Sequence, residues 1–70
     1  MTTIFLNGAP HEVDDGATVA AAVGATGAPP AQGGLAVAVD GEVVPRGEWA
    51  GTALREGQRV EVLQAVQGGA

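Results

Sequence analysis

Seventy residues make one small domain with room for a single core and no deep cleft, and a 46% apolar share is too high for a disordered chain. Eight carboxylates against three arginines and no lysine leave a net charge of −5, so neither nucleic acid nor an anionic membrane is an expected partner. Cysteine, serine, tyrosine and lysine are absent and histidine occurs once, which removes disulfides, thiolate metal sites, the usual nucleophiles and most general bases; an enzyme is not expected.

No apolar run approaches the roughly 20 residues that span a bilayer. Met1-Thr2-Thr3 lacks the basic start and long apolar stretch of a signal peptide, so the expected location is the cytoplasm. An acidic domain of this kind suits a protein partner with a basic docking face.

Thr3-Ile4-Phe5-Leu6 is a β-prone run, and Asn7-Gly8 after it accepts positive φ at both centres of a tight turn, which predicts a hairpin. Its second strand covers about residues 9–14, with His11 and Val13 on one face, and stops at Asp15-Gly16. His11, Glu12, Asp14 and Asp15 have metal-ligand chemistry, but strand alternation sends them to opposite faces, and a solvated strand end is the expectation. Thr18 stands at the N-cap of a short helix whose Val19 and Val23, four apart, share a face; it closes near Gly24 or Gly27. Pro29-Pro30 cannot continue it, and residues 28–34 form a connector. The glycines between residues 24 and 34 make no phosphate loop, since no Gly-Lys-Ser/Thr follows them.

Leu35-Ala36-Val37-Ala38-Val39, Asp40-Gly41 and Glu42-Val43-Val44 repeat the hairpin pattern, with Leu35, Val37 and Val39 on one face and Pro45 as the stop. An irregular stretch holding Trp49 and Leu54 follows, then the turn Arg55-Glu56-Gly57-Gln58 and a final strand alternating over residues 60–66. Trp49 reads either as packing that closes one end of the core or as a partner contact, and Arg46 either as a local hydrogen-bond donor or as a recognition residue. Asn7-Gly8 and Asp40-Gly41 need no role beyond turn chemistry. The order β-β-α-β-β-β predicts an α+β domain, a mixed four- to five-stranded sheet on one short helix.

The chain ends Gln67-Gly68-Gly69-Ala70. Paired glycines have backbone freedom to lose and no side chain to pack, so they read as a loose tail. A backbone without Cβ atoms threads a narrow channel, and a terminal carboxylate is a group ATP can activate. A frayed end is the plain alternative. The four residues 66–69 reach roughly 13 Å when extended at about 3.3 Å each, enough to carry a terminus from a domain's edge into a partner's pocket. The expected division is a domain over residues 1–66 and a flexible tail over 67–70.

Ile4-Phe5-Leu6-Asn7-Gly8, Gly16-Ala17-Thr18-Val19, Leu35-Ala36-Val37-Ala38-Val39-Asp40-Gly41 and above all Val44-Pro45-Arg46-Gly47-Glu48-Trp49, followed by Glu56-Gly57-Gln58-Arg59-Val60-Glu61-Val62, resemble the ThiS family of sulfur carriers in thiamin thiazole biosynthesis. The resemblance covers nearly the whole chain. It implies a ubiquitin-like β-grasp fold. It also implies a carrier whose terminal Gly69 is adenylated, with ATP and magnesium used by a ThiF-like enzyme and no cofactor bound to the carrier. A sulfur-transfer protein then makes the thiocarboxylate, and a ThiG-like thiazole synthase receives the sulfur.

Gly68 is the thin neck of that tail. Ala70 departs from the family pattern, which ends at the second glycine, and is expected to be removed by a protease or to be foreign to the natural end. Glu61 and Val66 are the expected partner contacts, with Glu42 and Glu61 at a polar rim of the open sheet face. A related carrier for molybdopterin or cysteine synthesis, and a ubiquitin-like protein modifier, remain open alternatives.

Overall fold

In the computed structural model, which describes residues 1–26 and 34–64, the first hairpin forms where the Asn7-Gly8 turn sets it. Strands β1 (Thr2–Leu6) and β2 (Ala9–Val13) run antiparallel, with Ile4 opposite His11 and Leu6 opposite Ala9. Asn7 at φ 50° and Gly8 at φ 86° occupy the left-handed region that this turn demands. Pro10 lies in β2, an outer strand of the sheet, where a missing N–H discourages another strand from pairing.

Helix α1 (Val19–Ala25) starts at Thr18, whose Oγ1 accepts the Ala21 N–H at 3.4 Å. Two further bonds fix its entry: Val19 N–H donates to the Thr52 carbonyl at 2.9 Å and Leu54 N–H to the Ala17 carbonyl at 2.8 Å. Val19, Ala22 and Val23 form its buried stripe.

Beyond the connector, β3 (Leu35–Val39) turns through Asp40 and Gly41 into β4 (Glu42–Val43), and β5 (Arg59–Gln64) ends the described chain. The sheet order is β2-β1-β5-β3-β4. β5 lies parallel to β1 and antiparallel to β3, so the last strand is the central one. This is the expected α+β arrangement, a mixed five-stranded sheet with a short helix on one face. Ile4, Val37, Val39, Val60 and Val62 of the sheet meet Val19, Ala22 and Val23 of α1 in one core, closed by Trp49 and Leu54.

The stretch read as irregular contains a 3-10 helix over Arg46–Gly51. Pro45 precedes it, its carbonyl accepting the Glu48 N–H at 2.8 Å, and the Thr52 hydroxyl closes it by donating to the Glu48 carbonyl at 2.7 Å. This short helix exists to deliver Trp49. The ring is 6% exposed, its Nε1–H donates to the Val44 carbonyl at 2.8 Å, and the Arg46 guanidinium lies 5.5 Å above the ring centroid. Trp49 is therefore core packing, and Arg46 covers it.

The connector residues 28–33, the continuation of the last strand to Val66 and the boundary with the tail 67–70 lie outside the described residues. Among the described residues no helix is long and apolar enough to cross a membrane.

At the β2 end of the domain, Asp15 Oδ1 accepts the Thr2 hydroxyl at 2.8 Å and meets the Met1 ammonium at 3.3 Å. The Thr2 hydroxyl first, and then the ammonium as donor and as charge, hold the Asp15 carboxyl below its ordinary value. A carboxyl lowered in the folded state stabilises the fold fully above its ordinary value and loses that effect as pH falls through the lowered one. Because the pair is exposed, solvent screens it and the effect is small. Asp15→Asn should melt slightly below the parent at neutral pH and converge with it in acid; a gap unchanged by acid would contradict the assignment.

Candidate functional site

With α1 on one side of the sheet, residues of opposite parity form the other side. Phe5 of β1 lies beside Arg59 of β5; Glu61 and Leu63 continue along β5, across from Ala38 and Ala36 of β3. Val43 of β4 lies across Ala38 from Glu61. Three large apolar side chains on this face stay open to solvent: Phe5 is 39% exposed, Leu63 65% and Val43 75%. A solvated sheet face ordinarily carries polar side chains, so this grouping marks a surface built to be covered. Between the two hairpin turns the face dips into a shallow concavity of about 730 Å³, lined by Phe5, Gly8, Asp40, Gly41, Arg59 and Glu61.

This open face is the candidate docking surface, with Phe5, Leu63 and Val43 exposed on it. Among the described residues no three metal-ligating side chains converge; Glu12, Asp14 and Asp15 are exposed and His11 is half-buried.

Glu61 lies on this face, on the central strand, between Ala38 and the β1 side of the sheet. The expected place for it was the rim. Its position depends on strand order, which places β5 between β1 and β3. Glu42 does not share the face: it pairs with Val39, whose side chain is in the core, so it projects from the helix-bearing side at the sheet's end. Val66, Gly68, Gly69 and Ala70 lie outside the described residues. Phe5, Val43 and Leu63 were not singled out in the sequence. The available signal was parity: Phe5 is out of phase with Ile4, and Leu63 with Val60 and Val62.

Asn7 and Asp40 also do more than turn the chain. Asn7 Oδ1 accepts the Val62 N–H at 2.8 Å, and Asp40 Oδ1 accepts the Arg59 N–H at 3.0 Å. The main-chain N–H groups of the same two residues donate to the carbonyls of Val60, at 2.9 Å, and Arg59, at 2.8 Å. Both hairpin turns thus hold the strand that leads to the tail.

A mixed sheet with its first and last strands parallel and adjacent at the centre, one helix across it and an apolar open face beside β5 defines a ubiquitin-like β-grasp domain. The model of the ThiS family matches residues 4–69. The crystal structure of a thiamine biosynthesis protein (ThiS) from Geobacter metallireducens is similar at 30% identity over 97% of this chain and 100% of that one, with a TM-score of 0.75. The chain belongs to the ThiS family of ubiquitin-like sulfur carriers. No curated protein matches it in sequence.

Proposed function

We propose that this chain is the sulfur carrier for the thiazole ring of thiamin, with Gly69 as the residue that carries the sulfur. The supporting observation is a family match that runs through residue 69 and so takes in Gly68-Gly69. A Gly69 carboxylate oxygen attacks the α-phosphorus of ATP on a ThiF-like partner, pyrophosphate leaves, and a sulfur donor then displaces AMP from the acyl carbon. The partner supplies ATP and magnesium. The thiocarboxylate passes to a ThiG-like thiazole synthase. Ala70 is removed by a protease first, because its Cβ widens the tip that the partner's channel admits. Location in the cytoplasm follows from the same reading.

The open face is the docking surface for these partners, with Phe5, Leu63 and Val43 as its apolar part and Glu61 as the charge that orients it. ATP–pyrophosphate exchange by the organism's own adenylating enzyme tests the reading: a Gly69-terminated chain should stimulate exchange, and failure to do so with a competent enzyme would exclude it. Glu61→Arg should weaken stimulation about tenfold at low ionic strength, a typical size for a close interfacial charge, with the deficit shrinking as salt rises. An equal response at every salt concentration would remove Glu61 from the interface.

A further inference from the structure

The parallel ladder between β1 and β5 runs out of backbone before β5 ends. Phe5 N–H donates to the Gln58 carbonyl and Asn7 N–H to the Val60 carbonyl, each at 2.9 Å. The next bond on this side would come from the Val62 N–H to a residue-7 carbonyl. The chain reverses at Asn7 and Gly8, so no strand continues beside Val62. The Asn7 side chain fills the gap, with Oδ1 taking the Val62 N–H at 2.8 Å as a substitute carbonyl.

This bond is placed close to the outgoing end of β5. Val62 is two residues from Gln64, where the described strand stops, and the residues that lead to Gly69 follow directly. On its other side β5 stays paired with β3 as far as Leu35 opposite Gln64. Without the Asn7 oxygen, the end of β5 would be held along one edge only and free to splay away from β1. Asp40, which grips the strand at Arg59, acts at its beginning and does not govern the exit.

We propose that Asn7 is a positioning residue for tail delivery: its bond to Val62 fixes the direction in which β5 releases the C-terminal carboxylate toward the adenylating partner. The inference rests on the carrier reading above. Misplacing a reacting group by about 1 Å can cost on the order of a hundredfold in rate without changing how the rest of the substrate binds. The apolar docking face does not include the Asn7 oxygen, so the loss belongs in kcat and not in KM.

Asn7→Gly tests this, because glycine suits the positive φ of the turn while removing only the acceptor. Asn7→Asp keeps an acceptor and tolerates the same φ. Gly69-terminated forms of each are assayed for acyl-adenylate formation below their melting temperatures. Thr18→Ala, which removes the cap of α1 and none of the hydrogen bonds that hold β5, serves as a destabilised control. Asn7→Gly should lower kcat about tenfold or more with KM within about twofold, and should speed hydrogen exchange selectively at Val62. Asn7→Asp should restore both, and Thr18→Ala should leave kcat near the parent value.

An unchanged kcat in Asn7→Gly with faster Val62 exchange would overturn the positioning role. So would unchanged Val62 exchange, or an equal kcat loss in Thr18→Ala. A parent chain that forms no adenylate with a competent enzyme would overturn the carrier reading together with this one.

Discussion

A chain ending at Gly68 is expected to melt at the temperature of the parent and yet to form no detectable thiocarboxylate. Among the described residues every buried core side chain belongs to residue 62 or earlier, and Gly69 and Ala70 carry no large side chain to lose. Removal of Gly69 shortens an extended tail by about 3.3 Å, which exceeds the displacement that separates a reacting pair from a non-reacting one. The expected loss in adenylation is at least about a hundredfold. A chain ending at Gly69 should react fully, and the full-length chain only after Ala70 is removed. Comparing intact masses of the three forms after incubation with ATP, magnesium, the adenylating enzyme and the sulfur source separates these outcomes. Equal conversion of the Gly68-terminated form would show that the acyl group is not on Gly69.

Trp49→Ala should unfold much of the population at ambient temperature. Truncating a buried tryptophan costs about 3–5 kcal/mol. Native domains have only roughly 5–15 kcal/mol in total, and one of 70 residues belongs near the lower end. The loss falls on several contacts at once. The indole fills the end of the core beside α1, its N–H satisfies the Val44 carbonyl, and its face supports Arg46. Trp49→Phe separates packing from hydrogen bonding: it keeps most of the volume, leaves the Val44 carbonyl without its indole donor, and should cost about 1–3 kcal/mol. Urea titration followed by far-ultraviolet circular dichroism reads both variants. A midpoint for Trp49→Ala close to the parent's would mean that Trp49 is not a core residue, and the partner-contact reading of it would return.

The segment Val44-Pro45-Arg46-Gly47-Glu48-Trp49, the most specific family signature in the chain, is thus explained by the fold. Pro45 ends β4, the 3-10 helix carries the ring inward, and Arg46 lies across it. Its role in function is indirect, through a core that keeps the sheet in register. On the proposed reading, docking and delivery fall on other residues, those of the open face and of the Asn7 turn.

What the sequence showed clearly was local. Alternation in Leu35-Ala36-Val37-Ala38-Val39, the Asn7-Gly8 and Asp40-Gly41 turns and the Thr18 cap each involve neighbours along the chain, and each element formed close to its expected bounds. The second hairpin strand stops at Val43, although Val44 still donates to the Val37 carbonyl at 2.8 Å. The 3-10 helix was illegible because Gly47 and Gly51 give it no helical preference, and the burial of Trp49 sets it.

Tertiary arrangement accounts for the remaining differences. Strand order moved Glu61 from the rim to the middle of the open face, and register turned Glu42 to the opposite side. The bond from Val62 to Asn7 spans 55 positions, a relation that no local pattern carries. Turn residues that looked self-sufficient proved to hold the last strand as well.

The most direct test of the carrier role is the intact mass of the protein isolated from its own host, before and after incubation with ATP, magnesium, the host's adenylating enzyme and its sulfur source. The expected result is loss of alanine followed by replacement of one oxygen by sulfur, with the change localised to Gly69 by fragmentation. An unchanged mass for a Gly69-terminated chain, with an enzyme and sulfur source shown to be competent on another carrier, would contradict it.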